Sequence, residues 1–228
     1  NRRGGGVTAI KICGVTSLAD GLAAAEAGAD LIGFNFYLAS PRCIALERCA
    51  QISAQLALHF PRVLRVGVFV NLPAAEVRRC LEQGGLQLAQ LHGDESPADR
   101  AACGPQAYKA LRSVCKNIEA YVRPGAPALL LDACVAGAYG GTGQRADWSA
   151  AAELARRAPL LLAGGLTPAN VAAAIRQVRP WGVDVASGVE SRPGIKDHQQ
   201  IRALVAAVRA ADAALAQERE RNANHFGA

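Results

Sequence analysis

The feature that most constrains the fold is an eightfold alternation of short apolar runs with amphipathic stretches rich in Ala, Leu and Arg. Several of the runs are apolar nearly throughout, as expected for parallel strands that are covered on both faces. Each run is followed by a helical pattern, so the alternation predicts eight β-then-α units. The predicted strands are Ala9–Cys13, Leu31–Phe36, Leu64–Val70, Leu86–Leu91, Gln106–Leu111, Ala128–Asp132, Leu160–Ala163 and Val183–Ala186.

Eight such units in 228 residues fit either a closed barrel or a doubly wound open sheet. The count of eight, the short connections and the absence of an early GxGxxG loop favour the barrel. The predicted fold class is α/β, a single-domain (β/α)8 TIM barrel. Residues 1–228 are expected to form one domain, since barrels of roughly this length routinely do. Residues 1–7 and 214–228 are expected to be peripheral ends.

The charge balance is mildly basic, with 25 Lys and Arg against 19 Asp and Glu and a formal net charge of +6. Basic charge serves nucleic-acid binding when it neutralises phosphates. Here the cations are scattered and aromatic residues make up only 5% of the chain, which argues against such an interface. We therefore expect no nucleic-acid partner, and a surface field that attracts an anionic metabolite.

The number and spacing of the cysteines indicate the cellular compartment. The seven cysteines are an odd number without a CxxC pair, which argues against both a disulfide scaffold and a zinc site. Reduced thiols in a cytoplasmic protein fit best, with no metal. No segment reaches the roughly 20 apolar residues of a membrane span, and the start has no apolar signal-peptide core. The expectation is a cytoplasmic protein without a membrane partner.

Three helix starts are predicted from local chemistry. Ser17 is followed by Asp20, and Ser96 by Asp99, so each places a hydroxyl at the cap and an acid in the first turn. Thr167–Pro168 is predicted to be a third start, with Thr167 at the cap and the proline in the first turn.

Two glycine-containing turns follow the last two predicted strands, at the end of the barrel where active sites lie. Gly164 and Gly165 follow the seventh strand, and Ser187 and Gly188 follow the eighth. A short helix starting at Val189–Glu190 would add unpaired N–H donors and a positive dipole end. Gly165 and Gly188 allow close approach because they lack a Cβ. The turns predict a phosphate site; the alternative is that the glycines only make tight turns.

Cys13 and Asp132 end the first and sixth predicted strands, so they are candidates to face each other across the barrel mouth. A thiol becomes a base when its pKa drops, which a cation such as Lys11 would cause. An Asp in a partly apolar mouth has a raised pKa and acts as an acid. Taken singly, Cys13 also fits a small buried hydrophobe and Asp132 a capping acceptor.

Three further features are candidates for ligand contact. The planar fork of Arg42 can clamp a carboxylate, although a surface arginine is the alternative. His92 is either a substrate contact or a hydrogen-bonded structural histidine. Gly140–Gly143 fits a substrate-covering loop or a plain flexible connection.

Several short motifs occur in a fixed order along the chain. They are Lys11-Ile12-Cys13-Gly14, Gly33-Phe34-Asn35-Phe36 with Ser40-Pro41-Arg42, Gly67-Val68-Phe69-Val70-Asn71, Gln90-Leu91-His92-Gly93, Gly140-Gly141-Thr142-Gly143, Leu162-Ala163-Gly164-Gly165-Leu166, Asp184-Val185-Ala186-Ser187-Gly188-Val189-Glu190, and Pro193-Gly194-Ile195-Lys196-Asp197. In order and spacing these motifs resemble the phosphoribosylanthranilate isomerase family of tryptophan synthesis. The similarity runs from about Ile10 to Val208.

The resemblance implies an Amadori rearrangement without cofactor or metal. N-(5′-phosphoribosyl)anthranilate, a phosphorylated small molecule, would become 1-(2-carboxyphenylamino)-1-deoxyribulose 5-phosphate. By the same resemblance Asp132 is the general acid, Cys13 as thiolate is the base, and Arg42 binds the anthranilate carboxylate. The chain is expected to be a monomer or a homodimer.

The remaining site residues also come from the resemblance. The phosphate would be held by Gly164, Gly165, Ser187 and Gly188. Asp184 matches a family motif on the eighth strand, where it either contacts substrate or supports the loop.

Other functions remain open at this point. Indole-glycerol-phosphate synthase would need a catalytic Lys at the strand ends, and a pentose-phosphate epimerase would need metal-binding His and Asp residues there. Lys11 alone supplies neither set. A protein of a different class, which binds a phosphorylated ligand on the same scaffold without turning it over, is the third alternative.

Overall fold

Eight parallel strands close into a barrel, in which each strand pairs with its neighbours in chain order and β1 pairs with β8. The computed structural model describes residues 7–115, 117–132 and 148–225. The closed ring of eight parallel strands confirms the predicted single-domain (β/α)8 barrel. The barrel strands are β1 Ala9–Cys13, β2 Leu31–Asn35, β3 Leu64–Phe69, β4 Leu88–Leu91, β5 Ala107–Leu111, β6 Leu129–Asp132, β7 Leu160–Ala163 and β8 Gly182–Val185.

The strands observed match the predicted ones to within two residues at each end. The largest shift is at β4, which begins at Leu88 rather than at Leu86. Leu86 is still engaged with the preceding helix, because its N–H donates to the carbonyl of Leu81. An apolar run in the sequence indicates buried residues, and here the buried residues begin before the first residue that pairs with a neighbouring strand.

Helices cover the outside of the barrel. Most follow a strand as predicted, but the described residues between β5 and β6 contain only the short 3₁₀ helix Ile118–Tyr121. Pro124 and Pro127 lie in that connection and remove backbone donors that an α-helix would need. The helices are α1 Leu18–Ala27, α2 Leu46–His59, α3 Ala74–Gln83, α4 Pro97–Ala102, α5 Trp148–Arg157, α6 Val171–Val178 and α7 His198–His225.

Two of the three predicted helix starts are confirmed. The Ser17 hydroxyl accepts from the Asp20 N–H at 3.1 Å, and Ser96 and Asp99 form a reciprocal capping box. The third is wrong, because α6 begins at Val171. Its predicted first turn is a separate bend, in which the Asn170 side chain accepts from the Thr167 N–H and donates to the Gly165 carbonyl.

The core has two parts because successive side chains of a strand point to opposite faces. One set lies between the strands and the helices and includes Ile10, Ile12 and Phe34. The other fills the inside of the barrel. Residues of this inner cluster therefore identify which alternate side chains of β1 to β7 face the inside of the barrel. The inner cluster is Ala9, Leu31, Val66, Leu88, Tyr108, Ala110, Leu130, Leu161 and Ala163.

The chain after β8 makes a 3₁₀ helix at Ser187–Val189 and then an antiparallel hairpin of β9 Glu190–Arg192 and β10 Ile195–Lys196. Helix α7 then runs to His225, so the described part of the predicted peripheral end is helical. Leu215 in that part is buried, whereas residues 216–223 are exposed. No helix in the described ranges is both long and apolar enough to cross a membrane.

Candidate active site

Cys13 and Asp132 both occupy the inward-facing parity at the last position of their strands. Cys13 shares its face of β1 with Ala9, and Asp132 shares its face of β6 with Leu130. Cys13 is 9% exposed and the Asp132 side chain is 30% exposed. A thiol and a carboxyl group therefore lie at the same, carboxyl-terminal end of the barrel.

A buried ion pair lies one inward position below Cys13. Lys11 on β1 is in register with Asp184 on β8, and its ammonium donates to the Asp184 carboxylate at 2.8 Å. Burial by itself would lower the pKa of Lys11, but the Asp184 carboxylate together with Cys13 and Tyr108 outweighs it and raises that pKa. Lys11 is therefore charged, and Asp184 is its counter-ion inside the barrel.

The thiol of Cys13 has a raised pKa, which corrects the expectation that Lys11 would lower it. Burial raises the pKa of Cys13 and outweighs the opposing effect of the Lys11 ammonium. Both groups lie over Gly33, where an added Cβ would be 2.9 Å from the Cys13 Sγ and 3.2 Å from the Lys11 Nζ. The missing side chain of Gly33 makes room for the pair.

His92 connects the end of β4 with Asp132. Its Nε2 lies 3.9 Å from the Asp132 Oδ2, and its Nδ1 lies 3.2 Å from the amide nitrogen of Gln90. Burial lowers the pKa of His92, although Asp132 opposes this. The imidazole is thus held between a buried amide and the candidate acid, which the sequence did not indicate.

Arg42 is engaged by an acid from the far end of the chain. Its Nε and Nη2 donate to the two carboxylate oxygens of Glu190 at 2.8 and 2.7 Å. Lys196 also donates to Glu190, at 2.8 Å. Burial would raise the pKa of Glu190, but the bonds from Arg42 and Lys196 lower it. The stem of Arg42 passes over Gly14, where a Cβ would lie 2.5 Å from the Arg42 Cδ.

The glycine turns after β7 and β8 pack against each other. A Cβ on Gly188 would lie 1.8 Å from the Leu166 carbonyl oxygen, so only glycine fits there. Gly164 and Gly165 have positive φ values of 99° and 62°, and a Cβ on Gly165 would meet nothing within 4 Å. The short helix predicted at Val189–Glu190 instead spans Ser187–Val189. The turns thus share one end of the barrel, with open space above Gly165.

Sequence reasoning gave no role to Gln90 and Tyr108 inside the barrel, or to Glu190 and Lys196 beside Arg42. Gln90 and Tyr108 are polar residues at inward positions of apolar strands, a signal that was available because buried polar groups need partners. The partners themselves could not be found, since they come from other strands. The loop Gly140–Gly143 lies outside the described residues. Among those described, no three His, Cys, Asp or Glu side chains form a metal-binding group.

The fold and site define a (β/α)8 barrel that carries a thiol and a carboxyl group beside two glycine turns, at the end where barrels commonly bind phosphate. A family profile described as N-(5'phosphoribosyl)anthranilate (PRA) isomerase matches residues 10–207. The chain belongs to this family. It is an isomerase of tryptophan biosynthesis, as the resemblance implied.

Relatives and solved structures agree with the family assignment. The chain is 48% identical over 203 residues to the N-(5'-phosphoribosyl)anthranilate isomerase of Magnetococcus marinus, covering 89% of this chain and 95% of the relative. The crystal structure of phosphoribosyl anthranilate isomerase from Thermotoga maritima superposes with a TM-score of 0.80 at 37% identity, covering 90% of this chain and all of the other. A structure of the enzyme in complex with reduced 1-(o-carboxyphenylamino)-1-deoxyribulose 5-phosphate has a TM-score of 0.76 at 35% identity, covering 90% of this chain and 100% of the other.

Proposed function

We propose that Cys13 and Asp132 carry out the Amadori rearrangement of N-(5′-phosphoribosyl)anthranilate as base and acid. The observation that carries this assignment is that both side chains end inward-facing positions of their strands, at the end of the barrel where the two glycine turns meet. The bound product analogue in the related structure supports the substrate class.

Asp132 acts first, as the general acid. It gives its proton to the ribose ring oxygen while the bond from that oxygen to the anomeric carbon breaks. The lone pair of the anthranilate nitrogen forms the C=N bond of a protonated Schiff base. This cation is an electron sink, and it acidifies the hydrogen on the neighbouring sugar carbon.

Cys13 acts second, as the thiolate base. It removes the C2 proton, and the released electron pair forms the C=C bond of an enolamine and neutralises the Schiff base. The enolamine then tautomerises to the ketone. Tautomerisation puts a proton on C1 and releases the proton of the C2 hydroxyl group. Over the cycle Cys13 therefore gives up the proton that it gained, Asp132 regains the one that it lost, and no co-reactant is consumed.

Two remote anionic groups of the substrate position the sugar between acid and base. We assign the phosphate to Gly164, Gly165, Ser187 and Gly188, where backbone N–H groups lie at the start of the 3₁₀ helix. Arg42 binds Glu190 through Nε and Nη2, and we assign the anthranilate carboxylate to its Nη1.

The other site residues support these groups. Asp184 is 8% exposed and bonded to Lys11, so it acts on the site through Lys11, which stabilises the Cys13 thiolate, rather than by touching substrate. His92 lies beside Asp132 and faces the same substrate.

The wider assignments follow the family. We propose a cytoplasmic enzyme that uses no cofactor or metal, binds no nucleic acid and exists as a monomer or a homodimer. A related structure describes the Thermotoga maritima enzyme as dimeric, which favours the homodimer.

An assay of anthranilate fluorescence with freshly prepared substrate tests the residue roles. Cys13→Ala and Asp132→Ala should each lower turnover by about 10²- to 10⁴-fold while the fold and the affinity for a product analogue are retained. Cys103→Ala, which alters a buried cysteine on the helix side of the barrel, is the matched control and should remain active. Near-normal turnover in either site variant removes that residue from its role. Analogue binding by the unmodified chain without turnover would support a non-catalytic binding protein.

A further inference from the structure

We propose that His92 is a positioning residue for Asp132, and that a hydrogen-bond chain from Tyr108 through Gln90 fixes its ring as the tautomer that carries the proton on Nε2. The inference deepens the proposed function and rests on it, because Asp132 is an acid only in that reaction. It assigns roles to two side chains inside the barrel that the reaction itself does not use.

The chain of hydrogen bonds begins in the barrel interior. Tyr108 on β5 is fully buried and belongs to the inner cluster. It is in register with Gln90 on β4, which is 1% exposed. The Tyr108 hydroxyl donates to the Gln90 Oε1 at 2.9 Å. Burial raises the pKa of Tyr108, so the phenol keeps the proton that it donates.

The bond from Tyr108 sets the orientation of the Gln90 amide. The amide oxygen of Gln90 accepts the hydrogen bond from the Tyr108 hydroxyl, so the NH₂ group of the same amide points away from Tyr108. The nitrogen of that NH₂ group lies 3.2 Å from the His92 Nδ1. An NH₂ group only donates, so Nδ1 must be the acceptor. A neutral imidazole with an acceptor at Nδ1 carries its hydrogen on Nε2.

The Nε2–H group then faces the candidate acid. Nε2 is 3.9 Å from the Asp132 Oδ2, which is longer than a hydrogen bond, and such contacts often shorten when substrate binds. A donor at Oδ2 favours the proton of the carboxyl group on the other oxygen. His92 thereby directs the acidic proton to the carboxyl oxygen that lies farther from the imidazole ring.

The neutral state of His92 is consistent with its surroundings. Burial lowers the pKa of the ring, and the Lys11 and Lys109 ammonium groups act in the same direction. The Asp132 and Asp184 carboxylates oppose them. The ring therefore presents its Nε2–H group to Asp132 near neutral pH without adding a positive charge.

The tautomer is directly measurable by ¹H–¹⁵N correlation through the long-range couplings of the histidine rings. His92→Asn assigns the His92 signals by their disappearance. In the unmodified protein we expect an unprotonated Nδ1 and a protonated Nε2. Gln90→Glu places a carboxylate beside Nδ1, so the tautomer should invert to Nδ1–H. Tyr108→Phe keeps the shape of the ring but releases the Gln90 amide, so the two tautomers should mix.

Steady-state kinetics link the tautomer to catalysis. Gln90→Glu and Tyr108→Phe should lower kcat by about 10- to 100-fold, by analogy with the loss of a hydrogen bond that orients a metal-ligating histidine, while KM changes by less than about twofold. Tyr121→Phe is the matched control, because it removes a phenol on the 3₁₀ helix outside the barrel. In this variant the His92 tautomer and kcat should equal those of the unmodified chain.

Three results would overturn the inference: an Nδ1–H ring in the unmodified protein, a tautomer that neither variant changes, or a changed tautomer with an unchanged kcat. Failure of the proposed function looks different. In that case Asp132→Ala keeps near-normal turnover, whatever the His92 tautomer.

Discussion

The ammonium of Lys11 lies 2.8 Å from a carboxylate oxygen of Asp184, inside the barrel and across the seam where β1 meets β8. Neither side chain has much access to water, with exposures of 0% and 8%. Two buried charges of this kind are tolerated because each compensates the other. The pair links the two strands that close the barrel and also places a positive charge beneath Cys13.

Removal of one member of this pair should be costly. Asp184→Asn leaves the Lys11 ammonium buried without its counter-ion, and breaking a buried pair in this way typically costs about 3–5 kcal/mol of unfolding free energy. Urea unfolding measures the loss. The double variant Lys11→Met with Asp184→Leu removes both charges and should recover most of it. A single variant as stable as the unmodified protein would contradict the paired state.

The pH dependence of kcat/KM should follow the raised pKa of Cys13. The thiolate is the active form and exists above the pKa, so kcat/KM should fall as the pH is lowered. Because burial raises that pKa, the limb in which kcat/KM rises with pH should lie above the ordinary range of a thiol. The rate of alkylation of Cys13 by iodoacetamide should show the same limb.

The double variant of Lys11 and Asp184 serves as the comparison for this pH profile. The Lys11 ammonium lowers the pKa of Cys13 more than the Asp184 carboxylate raises it. Loss of both charges should therefore move the rise of kcat/KM to higher pH. A limb below neutral pH in the unmodified enzyme would contradict the raised pKa of Cys13.

Glu190 should make stability sensitive to acid. Its pKa is lowered in the folded state by Arg42 and Lys196, so its contribution is complete above the unfolded value of about 4.3. That contribution is lost as the pH falls through the lower, folded value. Glu190→Gln should reduce the unfolding free energy by about 1.5–3 kcal/mol near neutral pH, and the acid-induced loss should be smaller in the variant. Unfolding titrations at several pH values measure both effects.

The control for Glu190 is an exposed ion pair. Glu76 lies 2.7 Å from Arg79 on α3, and both side chains are about half exposed. Glu76→Gln should change the unfolding free energy by no more than about 0.5 kcal/mol. Equal effects of the two substitutions would show that Glu190 gains nothing from its buried position.

Arg42→Ala should act mainly on substrate binding. The guanidinium is held by Glu190 and is assigned to the anthranilate carboxylate, which is remote from the reacting carbons. We expect KM to rise by about 10- to 100-fold, in line with about 1.5–3 kcal/mol for a charge-assisted hydrogen bond, with a smaller effect on kcat. Arg42→Lys should restore only part of the substrate affinity, since an ammonium lacks the planar fork of a guanidinium. Arg79→Ala is the surface control, and an unchanged KM in Arg42→Ala would count against the assignment.

Much of the fold and part of the site could be predicted from local sequence. The alternation of apolar and amphipathic stretches predicted the eight strands. Because Cys13 and Asp132 each end a predicted parallel strand, both could be placed at the same end of the barrel. The prediction of a helix after β5 was wrong because proline content overrode the apparent repeat. The start of α6 was wrong because the Asn170 side chain stabilises a separate turn.

The sequence by itself determined which residues end the strands and which turns lack side chains, because those properties depend on neighbours a few positions apart. Only the tertiary structure decided the partners: Glu190 is 148 residues from Arg42, and Asp184 is 173 residues from Lys11. Barrel closure brings the first and last strands together and buries their charged side chains side by side. Burial then set the pKa of Cys13, against the cation that the local sequence had suggested would lower it.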